Sequence, residues 1–162
     1  MKLYILRHGD AETSDPEKQP DDALRPLVKR GVKKSANIAG YLKKHKTKID
    51  LILTSPAMRS LDAAKIIRKG LKLKKEQLVK LDALLPEGDN AALVAEIKEK
   101  YPVDRVLIVG HNPNMAALIS QLVTGTPNLP IRLRKGGLCK LSIDELEYGK
   151  CATLEWLVDA SR

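Results

Sequence analysis

The sequence predicts an α/β fold with a mainly parallel sheet, on three observations. Short apolar runs, typical of buried strands, alternate along the chain with segments whose apolar residues recur every three or four positions, as in helices. No internal repeat or low-complexity linker divides the 162 residues, so we expect one domain over 1–162. Two late apolar runs with a polar stretch between them predict a hairpin, which would add an antiparallel strand.

The first half of the chain is predicted to hold two strands and two helices. The apolar run 3–6 predicts the first strand, and the polar, proline-containing stretch 10–26 predicts a long surface loop. The apolar stripe over 28–42 predicts the first helix. The second strand is expected over 50–54 and the second helix over about 57–69. Each of these strands is therefore followed by a helix, as parallel strands require.

The second half continues this alternation and ends in the predicted hairpin. Asp89 or Asn90 is expected to cap a helix, because both side chains accept hydrogen bonds from the first free N–H groups of a helix. The predicted strands are 78–81, 105–109, 138–143 and 152–158, and the predicted helices run to about Lys100 and over 113–123. The pattern indicates helices packed on a mainly parallel sheet.

Composition excludes several classes of protein. Hydrophobic residues make up 43% of the chain, too many for a disordered chain. No run approaches the roughly 18 apolar residues that a membrane span needs, and the apolar start is too short for a signal peptide, so we expect a cytoplasmic protein. Cys139 and Cys151 form neither a disulfide framework nor a metal site by spacing, and we interpret them as small apolar residues.

The net charge of +9 is concentrated in the first half of the chain. Residues 1–80 carry 20 basic and 9 acidic side chains, whereas 81–162 carry 9 and 11. Such a charge at first suggests a nucleic-acid partner. Aromatic residues are only 3%, with no Phe, so the stacking platforms that bind single strands are missing. Nucleic-acid binding is therefore not the leading interpretation, and we interpret most lysines as helix-surface charges that attract acidic partners.

Polar residues follow three of the predicted strands. Arg7 and His8 come directly after the first strand, Arg59 lies shortly after the second, and His111 follows the strand 105–109. In an open α/β sheet, ligands bind at the carboxyl ends of the strands. Two arginines and two of the three histidines are therefore expected where a ligand binds.

Capping signals predict that this ligand is an anion. Ser55 and Asn112 are good N-cap residues, and each is followed by a proline suited to the first helical position. Both helices should then begin at the strand ends, with their free N–H groups and positive dipole ends toward the site. Arg59 lies about one turn into its helix and can reach back toward that site. We infer a phosphoryl group as the ligand.

Histidine among such donors suits covalent phosphoryl transfer. A neutral ring nitrogen can attack phosphorus, and His8 is the better candidate because Gly9 permits a sharp turn and close backbone approach. His111 could donate hydrogen bonds to the equatorial oxygens, with Arg7 and Arg59 neutralising their charge. No carboxylate cluster suggests Mg²⁺ and no Gly-rich loop suggests a nucleotide, so we expect neither a metal nor a cofactor.

These residues resemble a known family. Arg7-His8-Gly9, Ser55-Pro56-x-x-Arg59 and Gly110-His111 are similar, in order and position, to motifs of the histidine phosphatase (phosphoglycerate mutase-like) superfamily. The short chain, the start Arg7-His8-Gly9-Asp10-Ala11 and the segment Leu24-Arg25-Pro26-Leu27 resemble its small SixA-type phosphohistidine phosphatases. The resemblance spans about residues 1–125.

The resemblance implies a fold and a set of residue roles. The fold would be a three-layer α/β/α sandwich, phosphoglycerate mutase-like, without a metal or organic cofactor. His8 would be the nucleophile that becomes phosphorylated, and Arg7, Arg59 and His111 would form the phosphate pocket. The residues expected to bind substrate around it are Gly9, Arg25 and Asn112.

The sequence departs from the larger members of the superfamily near Glu87. Those members carry an acidic general acid in a Glu-Gly-rich motif after the third strand, whereas residues 84–89 here hold only part of it. Glu87 is the candidate general acid. The long insertions that fold over the site in mutases are also missing. Both departures favour phosphohistidine in a protein, because an imidazole leaving group with a pKa near ~6.5 can be protonated in neutral water.

We therefore hypothesise a metal-independent phosphatase that dephosphorylates phosphohistidine on a signalling or phosphotransfer protein. One alternative is a phosphomonoesterase for small molecules or phosphoserine/phosphothreonine, with Glu87 as the acid. A second alternative, from another class, is a phospho-ligand or nucleic-acid binding module without turnover. We expect no membrane partner, and a monomer.

Overall fold

A computed structural model describes residues 1–162 and places one six-stranded sheet between two layers of helices. The strands are β1 (Lys2–Arg7), β2 (Leu51–Thr54), β3 (Leu78–Lys80), β4 (Arg105–Gly110), β5 (Gly137–Ile143) and β6 (Ala152–Asp159). The helices are α1 (Lys29–Lys44), α2 (Met58–Gly70), α3 (Asn90–Lys100) and α4 (Asn114–Thr124). The predicted α/β fold is confirmed. None of the helices combines the length and hydropathy needed to cross a bilayer.

The strand order places three strand ends side by side. The sheet runs β3-β2-β4-β1-β5-β6, and its first four strands are mutually parallel. β5 is antiparallel to β1 and forms the predicted hairpin with β6. Because β2, β4 and β1 are neighbours and parallel, the residues that follow them meet at one edge of the sheet.

Both faces of the sheet are buried at its central strands, which explains the continuous apolar runs of these strands. In β1, Leu3 and Ile5 pack in the cluster that contains the apolar residues of α3 and α4, whereas Tyr4 and Leu6 pack in the cluster formed with α1 and α2. Successive side chains of a strand point to opposite faces, so a single run serves both layers. The result is the α/β/α sandwich that the resemblance implied.

Two helix starts differ from the sequence prediction. The Asp89 side chain caps α3 as expected, accepting from the Ala91 N–H at 2.8 Å. Ser55 and Asn112, however, are not N-caps: α2 begins at Met58 and α4 begins at Asn114. Asn112 instead donates to the carbonyl of Leu133, whereas Ser55 Oγ accepts from the Ala57 N–H ahead of the helix and also contacts His111. A short irregular segment therefore separates each strand from its helix.

Candidate active site

The candidate site lies at the carboxyl edge of the sheet. His8 follows β1, Ser55 follows β2 and His111 follows β4. The sheet's hydrogen bonding continues into these residues, since the His8 N–H donates to the Gly110 carbonyl and the Ser55 N–H to the Val109 carbonyl, both at 3.1 Å. All three side chains are buried. Their positions are thus set by the most rigid part of the fold.

His8 is held with one ring nitrogen free. Its Nδ1 lies 2.7 Å from the Gly9 carbonyl oxygen, which can only accept, so Nδ1 carries the proton and donates it. Burial, followed by the positive charges of Arg59, Arg7 and Arg25, lowers the pKa of His8 to about 4, although the bond to Gly9 opposes this shift. At neutral pH the ring is uncharged, and Nε2 keeps its lone pair.

His111 has the opposite arrangement of partners. Its Nε2 lies 2.9 Å from Ser55 Oγ and 3.3 Å from Ser60 Oγ. Ser55 Oγ accepts from the Ala57 N–H at 3.2 Å, and neither serine hydroxyl has another acceptor, so we assign a hydroxyl hydrogen to Nε2 and the ring proton of His111 to Nδ1. Burial and the neighbouring His8 lower the pKa of His111 to about 3.

The arginines converge on this pair of histidines from different elements. Arg59 of α2 is only 3% exposed and donates to the backbone oxygen of Asp22 at 2.9 Å and to its Oδ2 at 3.0 Å. The other carboxylate oxygen of Asp22 accepts from Arg25 Nε at 2.9 Å. Arg7 donates through Nη1 to the carbonyl of Leu133 at 3.1 Å. Arg7 and Arg59 are therefore each fixed by a part of the chain distant in sequence, whereas Arg25 pairs with its neighbour Asp22.

Three buried N–H groups at the site have no hydrogen-bond partner. They are Nε of Arg7, Nε of Arg59 and Nδ1 of His111. An unsatisfied buried donor costs about 1–3 kcal/mol, so such groups in a native fold call for an explanation. All three residues line one cavity of about 260 Å³. An anion bound there would lie among these three side chains, whereas the unpartnered acceptor Asn112 Oδ1 of the same cavity needs a donor.

The catalytic cavity is basic and contains the candidate nucleophile. Its lining residues are Arg7, His8, Ala11, Arg25, Arg59, Pro86, His111, Asn112 and Lys135. Four of these side chains are cations and none is a carboxylate. Desolvation lowers the pKa of both Arg7 and Arg59, as expected for guanidinium groups that an anion would stabilise. No group of three or more His, Cys, Asp or Glu side chains forms a metal site in the molecule.

The structure brings most of the predicted site residues into this cavity, and leaves two outside it. Gly9 does not line the cavity; its carbonyl orients His8, and a Cβ there would lie 3.0 Å from the Gly31 Cα. Glu87 is exposed, and the wall of the cavity is formed by the preceding Pro86. The other predicted residues line the cavity together: Arg7, His8, Arg25, Arg59, His111 and Asn112.

Sequence reasoning missed several residues of the site. Asp22 joins Arg25 to Arg59, Ser60 contacts His111, and Lys135 lines the cavity. Ser60 follows Arg59 on a helix whose buried face is otherwise apolar, and that break in the apolar stripe is the signal that it serves the site. Asp22 and Lys135 carry no local signal, because their contacts are made between distant segments.

The sequence of this chain is similar to those of known proteins. The sequence profile of the histidine phosphatase superfamily (branch 1) matches residues 3–85. The phosphohistidine phosphatase SixA of Escherichia coli K12 is 28% identical over 158 residues, which cover 96% of this chain and 92% of that protein.

Solved structures share the whole fold. A structure of the protein histidine phosphatase SixA complexed with tungstate has a TM-score of 0.84 and 25% identity, covering 99% of this chain and 97% of that one. A structure of the putative phosphohistidine phosphatase SixA from Agrobacterium tumefaciens has a TM-score of 0.78 and 23% identity, with coverage of 97% and 96%.

Proposed function

The chain belongs to the histidine phosphatase superfamily, and we propose that it hydrolyses phosphohistidine in a partner protein through a phosphorylated His8. One observation carries the proposal. The Nδ1 proton of His8 is engaged by the Gly9 carbonyl, so a neutral Nε2 is presented in a cavity where three buried N–H donors lack partners. The similarity to SixA over nearly the whole chain supports the substrate class.

In the first step, Nε2 of His8 attacks phosphorus. The P–Nε2 bond forms as the P–N bond to the substrate imidazole breaks, and the substrate ring, protonated on its other nitrogen, leaves as neutral imidazole. The positive charge that develops on the His8 ring is stabilised at Nδ1–H by the Gly9 carbonyl. Arg7, Arg59 and the Nδ1–H of His111 donate hydrogen bonds to the oxygens of the phosphoryl group during its transfer.

In the second step, water attacks the phosphorus of phosphorylated His8. The P–Nε2 bond breaks, inorganic phosphate leaves as H2PO4⁻ with both protons of the attacking water, and the ring returns to its neutral form with the proton on Nδ1. The low pKa of His8, about 4, means that the free enzyme starts the next cycle with an unprotonated Nε2.

The leaving group explains why an imidazole substrate suits this site. The cavity wall contains no carboxylic acid, and the candidate general acid Glu87 is exposed beside it. An alkoxide leaving group needs a proton from a well-placed acid, whereas a phosphorylated imidazole with a ring pKa near ~6.5 is partly protonated on its second nitrogen at neutral pH and leaves as a neutral ring. Phosphohistidine therefore requires the least help from the protein.

The test compares a histidine-phosphorylated peptide with para-nitrophenyl phosphate. We expect faster turnover of the peptide than of the ester. In His8→Ala we expect complete loss of turnover and no phosphoryl group covalently attached to the protein. His45→Ala is the matched control, because His45 is exposed and only stacks on Tyr41. Faster turnover of the aryl ester would contradict the substrate class, and activity remaining in His8→Ala would contradict the mechanism.

A further inference from the structure

A second cavity, which we call the basic groove, adjoins the catalytic cavity. Its volume is about 590 Å³, more than twice that of the catalytic cavity. It is lined by Arg7, Asp10, Arg30, Lys34, Arg134, Lys135, Asp159, Ser161 and Arg162, none of which is hydrophobic. The groove is thus lined by six cations and two carboxylates. A phosphoryl group bound at His8 would not fill it.

The two carboxylates of the groove already have partners. Asp10 Oδ2 lies 3.0 Å from Lys34 Nζ and 3.5 Å from Nε of the exposed Arg30, and Asp159 Oδ2 lies 3.2 Å from Arg162 Nε. Arg134 has no acidic partner and is exposed, as is Lys135 beside it. The groove therefore carries positive charge that is not neutralised within the protein.

Shared residues and hydrogen bonds fix the position of the basic groove relative to the catalytic cavity. Arg7 and Lys135 line both cavities. Arg7 also donates to the Leu133 carbonyl at 3.1 Å, while its own carbonyl accepts from the Gly136 N–H at 3.0 Å. Leu133 is buried between the exposed Arg132 and Arg134, so this segment presents its charges outward while its apolar side anchors it. The cations thus keep a fixed distance from the phosphate pocket.

We propose that the basic groove binds an acidic segment of the phosphorylated protein while its phosphohistidine occupies the catalytic cavity. The inference rests on the proposed function and adds the feature of the substrate protein that is recognised: carboxylates close to the phosphorylated residue. A small phosphate ester would fill only the 260 Å³ cavity and leave the groove unused. Charge complementarity would increase the association rate and fix the orientation of the partner.

A nucleic acid fits the groove less well. None of the nine lining residues is aromatic, so bases find no stacking platform. Asp10 and Asp159 would face the phosphodiester backbone, whereas carboxylates of a protein partner can contact Arg30, Arg134 and Lys135 individually.

The experiment uses two phosphohistidine peptides that differ only in flanking residues, glutamates in one and glutamines in the other. The groove variant is Arg30→Gln combined with Arg134→Gln. The matched control is Lys43→Gln combined with Lys48→Gln, which removes the same charge from a basic hollow at the opposite edge of the sheet, beside Asp50. Steady-state kinetics are measured for each protein with both peptides and with para-nitrophenyl phosphate.

We expect the groove variant to raise KM for the glutamate peptide about fivefold, with little change for the glutamine peptide or the ester, and the control to match the wild type. Equal KM values for both peptides in the wild type, or equal effects of the two variants, would overturn the docking role. Neither result would contradict the proposed phosphatase activity. Failure to hydrolyse either peptide would instead overturn the proposed function. Loss of binding to a single-stranded oligonucleotide in the groove variant, with peptide kinetics unchanged, would assign the groove to nucleic acid.

Discussion

At the scale of single residues, both histidines of the catalytic cavity carry their proton on Nδ1, but they offer different ring nitrogens to a ligand. His8 donates its Nδ1–H to a backbone carbonyl and offers the lone pair of Nε2. His111 uses its Nε2 to accept from serine hydroxyls and offers Nδ1–H. Their rings are 5.0 Å apart between centroids, close enough to act on one phosphoryl group. The neighbours of each ring, rather than the residue type, separate a nucleophile from a hydrogen-bond donor.

These buried neutral histidines make stability depend on pH. The pKa of His8 is about 4 in the folded protein and near 6.5 in the unfolded chain, so the unfolded chain binds more protons between these values. The free energy of unfolding should therefore fall as the pH is lowered through this window. From pH 7 to pH 5 we expect His8 to account for about 2 kcal/mol of the loss.

Urea denaturation at both pH values checks this expectation. His8→Gln should remove about 2 kcal/mol of the pH dependence, and His111→Gln should have a similar effect because the pKa of His111 is also low. An unchanged pH dependence in His8→Gln would show that its ring is not held neutral by burial.

At the scale of elements, α1 supports the turn that follows the nucleophile. A Cβ on Gly31 would lie 2.0 Å from the backbone oxygen of Asp10, so the helix can approach this backbone only where the side chain is a hydrogen. Asp10 is further tied to the same helix by Lys34. The conformation of the Gly9–Asp10 turn, and with it the His8 bond to the Gly9 carbonyl, therefore depends on α1.

Gly31→Ala should consequently lower both stability and activity. We expect a loss of about 2 kcal/mol in the free energy of unfolding, because the new methyl group meets backbone atoms that cannot rotate away, together with a lower kcat. Gly40→Ala in the same helix is the control: no atom lies within 4 Å of its Cβ position, so it should stabilise the helix by about 0.5–1 kcal/mol. Urea denaturation and turnover are measured for both, and equal effects of the two changes would contradict the packing role of Gly31.

Predictability differs among the elements for a physical reason. Every predicted strand and helix is present, because apolar periodicity reports directly which face of a segment is buried. The helices α2 and α4 start within one residue of their predicted starts, but the N-cap assignments of Ser55 and Asn112 were wrong. Asn112 bonds to Leu133, 21 residues away, and Ser55 divides its oxygen between the nearby Ala57 N–H and His111, 56 residues away.

At the scale of the whole molecule, the net charge of +9 has a definite arrangement. Cations line the catalytic cavity and the basic groove at the carboxyl edge of the sheet, while another basic hollow lies at the opposite edge. A dianionic phosphate on an acidic protein would be attracted over a longer range than a small ester, since the protein carries more interacting charge.

Added salt should therefore separate the two kinds of substrate. Raising NaCl from about 0.05 M to 0.5 M shortens the screening length severalfold, so kcat/KM for a glutamate-flanked phosphohistidine peptide should fall more steeply than kcat/KM for para-nitrophenyl phosphate. The ester serves as the internal control for salt effects on the catalytic cavity itself. Parallel salt dependences would exclude long-range attraction as a contribution to turnover.

The sequence alone determined the α/β class and placed His8, Arg59 and His111 after parallel strands, because strand periodicity and the residues at strand ends are local properties of the chain. The tertiary structure alone decided which atoms those residues present. Asp22 reaches Arg59 across 37 residues, and the Leu133 carbonyl reaches Arg7 across 126. Tautomers, unsatisfied donors and the basic groove arise from such contacts, which depend on how buried surfaces pack and leave no pattern in the neighbouring sequence.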